Sequence, residues 1–386
     1  MNKTITPNNN NSDLDLSVGL SACRSYNQGQ VLEAVEEALE PLGGLKSFLN
    51  KNDRVLLKPN LLTNATPESA VTTHPEFIKA VATKVWEAGA SQICLGDSPA
   101  RGSLERVAKE CDLLRLQEEA GISLLPFKTA RKVSSPTGYL FPLAEEAFGF
   151  DFVINLGKLK THALTGLTGT VKNCYGFMVG MNKVQYHARF PLVHDFARML
   201  LELYLTVQPD LSLIDGVVAM EGPGPRSGRP KPLGVIAAST NAIAVDAVCA
   251  KITGFSSKEM TTWRAAAERK IAGSQWEKLK IHGPLEELIT TSFDKGASVG
   301  GWSFLWRILP ARMRNLQEHF RLWPVINERC ITCRLCFEHC PAEVLKLETA
   351  NNNQKVVIDY SGCLRCYCCQ EICPEGAIEL KRKKPE

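Results

Sequence analysis

Two runs of cysteines near the end of the chain constrain its fold more than any other feature. The runs hold Cys330, Cys333, Cys336 and Cys340, and then Cys363, Cys366, Cys369 and Cys373. Both have the spacing C-x2-C-x2-C-x3-C-P, so the second run repeats the first 33 residues later. Three thiolates on one tight loop can hold three corners of an iron–sulfur cubane. The repeat therefore predicts a small module that binds iron–sulfur clusters.

This spacing is similar to that of the bacterial two-cluster ferredoxins, over the whole C-terminal segment. The resemblance implies that the fourth cysteine of each run, which precedes a proline, serves the cluster of the other run. It assigns one [4Fe–4S] cluster to Cys330, Cys333, Cys336 and Cys373. It assigns a second [4Fe–4S] cluster to Cys363, Cys366, Cys369 and Cys340. Cys368 breaks the spacing and is expected not to be a ligand.

Two other uses of cysteine explain the runs less well. A zinc site needs four ligands in two pairs, and it leaves the third and fourth cysteine of each run unexplained. Disulfides need an oxidising compartment, and the first dozen residues have neither the basic start nor the apolar core of an export signal. The other cysteines are scattered singly, as in a reduced protein. We therefore expect a cytoplasmic protein.

The length of 386 residues suits a large domain followed by a small one. An apolar content of 44% with 22% charged residues is typical of a globular protein with a buried core. The formal net charge of +4 is small for this length and predicts no nucleic-acid partner. No apolar run approaches the roughly 18 residues that a membrane-spanning helix needs, so no transmembrane segment is predicted.

Short apolar strands alternate with helices through the first 300 residues. The predicted strands include Arg54–Leu57, Ser91–Leu95, Ile122–Pro126, Asp151–Leu156, Leu211–Ile214 and Leu233–Ala238. The predicted helices include Thr73–Ala88, Gly102–Glu119, Phe190–Thr206 and Ala242–Thr253. This alternation predicts an α/β fold, with a mainly parallel sheet covered by helices on both faces. Between the cysteine runs, Val344–Glu348 and Lys355–Asp359 predict a hairpin in a small α+β ferredoxin domain.

These features divide the chain into five predicted segments. They are a disordered leader at 1–13, an α/β domain at 14–300, an aromatic and basic linker helix at 301–324, a ferredoxin domain at 325–380 and a basic tail at 381–386. The linker contains tryptophans and several arginines. A basic aromatic helix can lie on a membrane surface. Such a segment more often docks one domain on another, and docking is the prediction here over peripheral membrane contact.

Polar side chains follow several predicted strands at their carboxyl ends. They are Lys58, Asn60, Asp97, Ser98, Lys158, Lys160 and His162. In an open α/β sheet, ligands bind beyond this edge. The needs of turns and helix caps explain Asp97 and Ser98 equally well. Turns and helix caps do not require the lysines or His162, so a binding site is predicted at this edge of the sheet.

A glycine-rich stretch, Gly166–His187, adds Lys172 and Asn173 to this edge. Its glycines would allow backbone N–H groups to approach an anion closely. Its spacing matches no phosphate-binding motif, and glycines packed under a helix explain the stretch alone equally well. His162 and His187 are candidate metal ligands. Without a third ligand in register, they are predicted to be hydrogen-bonded polar groups instead.

Six separate blocks, spread over roughly residues 15–300, resemble the domain-of-unknown-function family 362. The blocks are Lys58-Pro-Asn60, Thr73-His74-Pro75, Gly96-Asp97-Ser98, Lys158-Leu-Lys160-Thr-His162, Val171-Lys172-Asn173 through Gly176, and Glu221-Gly-Pro-Gly224-Pro. The last block belongs to a loop, Met220–Pro230, whose charged residues can close over a ligand. Members of this family are commonly fused to a ferredoxin module, as here. The resemblance implies that the blocks form one site, but it implies no reaction, because none is generally established for the family.

Two functions of different classes fit these features. The first is an oxidoreductase that passes electrons from a soluble donor, through two clusters, to a small phosphate or carboxylate in the α/β domain. The predicted substrate contacts are Lys58, Asn60, Asp97, Ser98, Lys158, Lys172, Asn173 and Glu221. The predicted catalytic residues are Lys160 and His162, of which His162 is the proton donor, since imidazole can supply a proton near neutral pH. The alternative is an electron carrier or cluster-dependent assembly factor whose α/β domain only binds a partner.

Overall fold

The computed structural model describes residues 16–297, 321–350 and 353–382. The first range forms the large domain, and the other two form the small domain. The predicted leader at 1–13, most of the predicted linker helix and the end of the tail lie outside the described residues. The predicted domain boundary at 300 lies there too, so it stays a prediction. Within the described ranges, every helix is too short or too polar to span a lipid bilayer.

The described residues contain strands and helices in frequent alternation. The strands are β1 Ser17–Ala22, β2 Arg54–Pro59, β3 Gln92–Asp97, β4 Ile122–Pro126, β5 Ala130–Ser134, β6 Leu140–Ala144, β7 Phe152–His162, β8 Gly166–Thr168, β9 Leu211–Glu221, β10 Arg229–Ser239, β11 Lys280–His282, β12 Trp323–Ile326, β13 Leu345–Ala350, β14 Asn353–Ile358 and β15 Ile378–Lys381. The helices are α1 Gln28–Leu39, α2 Pro75–Glu87, α3 Leu104–Glu110, α4 Leu116–Glu119, α5 Thr170–Asn173, α6 Asn182–Arg189, α7 Val193–Val207, α8 Ala242–Ile252, α9 Thr261–Glu268, α10 Leu285–Leu288, α11 Leu335–Glu338 and α12 Cys368–Ile372.

One sheet organises the large domain. Its strand order is β11-β1-β10-β9-β7-β2-β3-β4, with β8 paired to β7. The strands from β9 to β4 in this order run parallel, whereas β10 is antiparallel to both of its neighbours. One face is covered by α1, α2 and α3, and the other by α7 and α8, with a separate apolar core under each. The predicted α/β class, with a mainly parallel sheet and helices on both faces, is confirmed.

Several predicted boundaries are wrong, and β7 matters most for the site. The prediction ended this strand at Leu156, but it continues to His162. It can continue because β9 pairs with it as far as Lys160, and β8 pairs with Lys160 and His162. Lys158, Lys160 and His162 therefore lie within a strand, on one face, because side chains alternate along it. The predicted helix Gly102–Glu119 is also wrong, since a left-handed residue between α3 and α4 divides it.

The small domain repeats its own structure. Helices α11 and α12 begin 33 residues apart, each just after a left-handed residue, Arg334 with φ 62° and Tyr367 with φ 63°. Strands β13 and β14 form the predicted hairpin. Strands β12 and β15 pair antiparallel, so Trp323 and Pro324 extend a sheet and do not end a linker helix as predicted.

Candidate functional site

Two cavities in the small domain are lined by cysteines. The lining cysteines are Cys330, Cys333, Cys336 and Cys373 in the first cavity, and Cys340, Cys363, Cys366 and Cys369 in the second. Both cavities are partly open to solvent. In the described ranges, no three His, Cys, Asp or Glu side chains converge closely enough to hold a single metal ion. Four thiols around a shared space fit the ligand set of an iron–sulfur cubane.

Helix α12 carries Cys368 and Cys369, and it also carries Glu371. The side chain of Glu371 is buried against the large domain. Its Oε1 lies 3.1 Å from Nε2 of His162, and its Oε2 lies 3.9 Å from Nε2 of His187. His162 is the last residue of β7, and His187 lies in α6. The contact therefore joins a cysteine-bearing helix to two histidines of the large domain.

The ring of His162 has a defined tautomer. Its Nδ1 accepts a hydrogen bond from the backbone N–H of Leu164 at 3.1 Å, so the proton of the neutral ring is on Nε2, which faces Glu371. Burial, together with the charge of Lys172, lowers the pKa of His162 to about 4. Burial raises the pKa of Glu371, but His162, His187 and Lys172 outweigh it and hold that pKa below its ordinary value. At neutral pH, a neutral imidazole thus faces an ionised carboxylate.

This tautomer also bears on the question of a metal at the two histidines. A histidine that binds a metal through Nε2 normally donates its other ring N–H to an acceptor. Nδ1 of His162 accepts a hydrogen bond, so it carries no proton to donate. The nearby positive charge of Lys172 disfavours a cation as well. The geometry therefore favours the interpretation of His162 and His187 as polar groups without a metal.

Lys58 pairs with a carboxylate instead of standing free. Its Nζ lies 3.1 Å from Oδ1 of Asp97, and both side chains are buried. The other oxygen of Asp97 accepts a hydrogen bond from the backbone N–H of Leu61 at 2.9 Å. A Cβ at position 176 would overlap both charged groups, so Gly176 is required for close packing. This glycine thus serves a buried ion pair and not the approach of backbone N–H groups to an anion.

Lys158 has a similar structural partner. Its Nζ lies 2.7 Å from Oδ2 of Asp215 and 2.8 Å from the hydroxyl oxygen of Tyr26. The Tyr26 hydroxyl donates to the other oxygen of Asp215 at 2.7 Å, and the ring of His74 stacks on Tyr26 at 3.5 Å. The expectation that strand-end lysines have no structural partner is therefore wrong for Lys58 and Lys158. Their contact with a substrate stays a prediction.

Lys160 differs because, within the described ranges, its ammonium makes no ion pair with a carboxylate. Its Nζ donates to Oδ1 of Asn60 at 2.8 Å and to the backbone oxygen of Val71. Burial lowers its pKa well below the ordinary value, and the charges of Lys172 and Lys158 lower it further. Lys160 therefore loses its proton more readily than an ordinary lysine does.

A network of amides connects these lysines. Nδ2 of Asn60 donates to Oδ1 of Asn173 at 2.9 Å, and Nδ2 of Asn173 donates to Oδ1 of Asn155 at 2.7 Å. Asn173 also donates to the backbone oxygen of Lys58 at 3.2 Å. The structure therefore brings together Lys58, Asn60, Lys160 and Asn173, as the sequence predicts. Lys172, which precedes Asn173, acts electrostatically on the histidine pair and on Lys160.

Glu221 does not join this group by any contact in the described residues. It lies 3.6 Å from Arg229 and accepts a hydrogen bond from the backbone of Asp294 at 3.0 Å. The loop that follows it contacts the small domain, and its closure over a ligand stays a prediction. Arg226 and Ser227 donate to backbone carbonyls at the C-terminal end of α12, at 2.6 and 3.0 Å. This loop holds the cysteine-bearing helix in place.

A family model described as a domain of unknown function (DUF362) matches residues 55–251, about half of the chain. The chain belongs to the DUF362 family. A second model, described as a 4Fe-4S dicluster domain, matches residues 329–377. The DUF362 chain thus ends in a 4Fe–4S module, as the cysteine spacing predicts. Iron–sulfur electron transfer is the function that this module supports.

A curated relative of this DUF362 chain is the thylakoid-associated protein sll1697 of Synechocystis sp. It is 40% identical over 255 residues, which are 66% of this chain and 79% of the relative. Among solved structures, the lactate racemase apoprotein from Thermoanaerobacterium thermosaccharolyticum gives a TM-score of 0.41 at 13% identity, over 61% of this chain and 56% of that one. A Thermotoga maritima protein gives a TM-score of 0.34 at 13% identity, over 50% and 51%. The chain spans little more than half the length of both.

The sequence did not show how the buried polar groups of this DUF362 chain pair. Asp215 was visible as a polar residue directly after a predicted apolar strand, but its pairing with Lys158 was not predicted. Lys183, whose Nζ donates to the oxygens of Ser98 at 2.8 and 2.9 Å, has no such signal. Burial lowers the pKa of Lys183 to about 7. Glu371 is the counterpart of Glu338 in the repeat. Glu371 is buried and Glu338 is exposed, but the spacing of the cysteines gives both the same position.

Proposed function

We propose that this DUF362 protein is an iron–sulfur oxidoreductase that transfers electrons from a soluble donor to a small anionic substrate in the large domain. Two [4Fe–4S] clusters would supply one-electron transfer. Their proposed ligands are Cys330, Cys333, Cys336 and Cys373 for the first, and Cys363, Cys366, Cys369 and Cys340 for the second. The observation that carries the proposal is the contact of Glu371, in the cysteine-bearing helix α12, with His162. This contact supports a path between the clusters and the polar site.

The residues of the large domain have distinct proposed roles. Burial lowers the pKa of His162 to about 4, so the ring is neutral at neutral pH and its Nε2–H donates a hydrogen bond to the substrate in place of the predicted proton transfer. Lys160, whose pKa burial lowers, is the proton acceptor. Lys172 attracts the anion, because its charge acts on both histidines. Lys58 and Lys158 orient the carboxylates with which they pair. Contacts of the substrate with Asn60, Asp97, Ser98, Asn173 and Glu221 stay predictions.

Reoxidation of the reduced protein tests this function. The anaerobic protein is reduced with dithionite, freed of excess reductant and mixed with fractions of small anionic metabolites, while visible absorbance follows the clusters. We expect one phosphate- or carboxylate-containing fraction to reoxidise the wild type, and to reoxidise His162→Gln at least about tenfold more slowly, a barrier difference of ~1.4 kcal/mol. An artificial acceptor that reacts directly with the clusters should oxidise both proteins equally. Metabolite profiling of a deletion strain would identify the compound.

A second candidate is an electron carrier or assembly factor whose large domain only binds a protein. One observation favours it: Lys58, Lys158, Lys160 and His162 are all at most 2% exposed, so the site is closed. In that case no small molecule reoxidises the protein, whereas a partner protein does. The same reoxidation experiment, with protein fractions added, therefore separates the two functions.

The location in the cell is also a proposal. The sequence predicts the cytoplasm, whereas the relative from Synechocystis sp. is described as thylakoid-associated. We propose a protein that is exposed to the cytoplasm and binds the surface of an internal membrane through the basic aromatic segment at 301–324. Fractionation tests this: the protein should sediment with membranes at low salt and be released at high salt. A protein that stays in the supernatant at every salt concentration would place it free in the cytoplasm.

A further inference from the structure

Polar atoms at the contact between the domains are buried but poorly satisfied. Nε2 of His162, Nδ1 of His187 and Oε1 of Glu371 have no well-formed hydrogen bond within the described ranges. The three residues are 2%, 5% and 8% exposed. The distance from His162 to Glu371 is short enough at 3.1 Å, but the N–H does not point well at the oxygen. Buried polar groups in this state are rare in native proteins and require an explanation.

The arrangement of these atoms matches a carboxylate. Nε2 of His162 lies 3.1 Å from one oxygen of Glu371. Nε2 of His187, which is not the unpaired Nδ1, lies 3.9 Å from the other oxygen, beyond the distance of a direct hydrogen bond. Lys172 adds positive charge, which lowers the pKa of both histidines. Two nitrogens for two oxygens suit a planar carboxylate, whereas a phosphate presents three or more oxygens and needs more donors.

The internal repeat shows that the small domain does not itself require a buried carboxylate here. Glu338 in α11 is the repeat counterpart of Glu371. It is exposed, and its carboxylate lies 3.9 Å from Arg101. The burial of Glu371 is thus a property of the histidine site that receives it.

His162 can reach a substrate only where Glu371 now lies. Nδ1 accepts a hydrogen bond from the backbone of Leu164, and Nε2, which carries the single N–H of the neutral ring, lies 3.1 Å from the Glu371 carboxylate. A substrate acceptor bound by this N–H must therefore take the position of the carboxylate oxygen. Glu371 is the only carboxylate that the described residues place at this position.

We propose that His162, His187 and Lys172 form a carboxylate-binding site, and that Glu371 is an internal occupant that a small carboxylate substrate replaces. The inference rests on the proposed function, in which the large domain binds an anionic substrate. It narrows the substrate class from phosphate or carboxylate to carboxylate. It also makes substrate binding compete with the contact between α12 and the large domain.

Acetate binding to the full-length protein with its clusters tests the site. We expect Glu371→Ala to bind acetate at least about tenfold more tightly than the wild type, a difference of ~1.4 kcal/mol, measured by calorimetry and by the rise in unfolding temperature. Inorganic phosphate at equal ionic strength should have no comparable effect. Glu338→Ala is the matched control, because it removes the repeat counterpart, and it should behave as the wild type does.

A second variant keeps the test decisive if Glu371→Ala does not fold. Glu371→Gln is nearly the same size but loses the charge that holds the side chain between the histidines, so acetate should displace it. The proposal is overturned if acetate binds neither variant more tightly than it binds the wild type. If only one variant folds with full iron content, the result for that variant decides. An equal response to phosphate overturns the carboxylate class. Reoxidation of the clusters by a phosphate ester would contradict the carboxylate-binding site but not the proposed oxidoreductase function. Acetate binding without reoxidation by any metabolite fraction would contradict the oxidoreductase function but not the carboxylate-binding site.

Discussion

Three buried lysines share one region of the large domain, but their charges are balanced in different ways. Lys58 and Lys158 each lie within ion-pair distance of a buried carboxylate. Lys160 has an amide oxygen and a backbone oxygen as acceptors. A buried charge is stable only when it is paired, and an unpaired lysine gives up its proton instead. The first two lysines are therefore held by buried carboxylates. The third, whose pKa burial lowers well below its ordinary value, is the one proposed as a proton acceptor.

Substitution with methionine should separate these two kinds of lysine. Lys158→Met leaves the carboxylate of Asp215 buried without its cation, which should lower the free energy of unfolding by about 3–5 kcal/mol. Lys160→Met leaves no buried carboxylate without its cation and removes two hydrogen bonds to neutral groups. It should therefore lower the free energy of unfolding by only about 1–2 kcal/mol. Urea unfolding of both variants is the measurement. Equal losses would mean that Lys160 is charged in the folded protein.

The two histidines of the site should make stability fall in acid. Burial lowers the pKa of His162 and of His187 from the ordinary 6.5 to about 4. Between these values the unfolded chain binds protons that the folded protein does not, so stability is complete above about pH 6.5 and falls toward pH 4. The expected loss is roughly 1–3 kcal/mol per histidine. His187→Phe, which can still pack against Phe196, should flatten this dependence in urea unfolding. An unchanged slope would exclude His187 as a source.

Sequence reasoning could find these residues but not their partners. The lysines and His162 could be identified because they follow a predicted apolar strand, where neither a turn nor a helix cap requires such side chains. Their partners come from other strands and loops: Asp215 is 57 residues from Lys158, and Tyr26 is 132 residues away. Pairing of that kind depends on strand order and register, which no local pattern records.

Patterns within single elements gave mixed results. The hairpin of the small domain and the two cysteine runs were predictable, because the spacing that defines them is local. The end of β7 was not, because its polar residues resemble a turn. What keeps them in a strand is the pairing with β8 and β9, a contact with other elements. Polar residues in a buried strand were therefore mistaken for the end of that strand.

The loop before α12 gives a direct test of the cluster ligands. Cys366 lines the second cavity, whereas Cys368 is buried and lies outside the set of cysteines that lines it. Cys368→Ser should therefore keep the iron content of the wild type, and Cys366→Ser should lose or convert one cluster. Iron analysis and electron paramagnetic resonance of the anaerobic proteins are the measurements. Full iron with an unchanged spectrum in Cys366→Ser would contradict the ligand assignment.

At the scale of the whole molecule, the two domains meet around the cysteine runs. The loop after β9 holds the end of α12, and Nε2 of His339, between two cysteines of the first run, lies 3.0 Å from the backbone oxygen of Ala100. The sequence predicted that the linker docks the ferredoxin domain on the α/β domain. Arg321 of that linker donates to the backbone oxygen of Pro191 in the large domain and of Leu364 in the small one, and the loop after β9 adds further contacts. Nothing in either cysteine run shows which side faces the large domain, because the two runs are nearly identical in spacing.

The second cluster should be the better protected of the two. In the first run Cys333 is exposed and Ile331 is 60% exposed, whereas the equivalent Cys366 is half-buried and Leu364 is 37% exposed. The second run also faces the large domain, where the backbone of Cys366 contacts His187. An aqueous chelator should therefore remove iron in two phases, with the first cluster lost in the fast one.

The time course of iron release, measured anaerobically with a coloured chelator, checks this order. In the wild type, about half of the iron should leave in each phase, because the two proposed clusters would hold equal numbers of iron atoms. Cys366→Ser disturbs the second cluster, so the fast phase should remain and the slow phase should shrink or vanish. If the slow phase survives in this variant and the fast phase is lost, the second cavity is the accessible one. The large domain then does not cover that side of the small domain in solution.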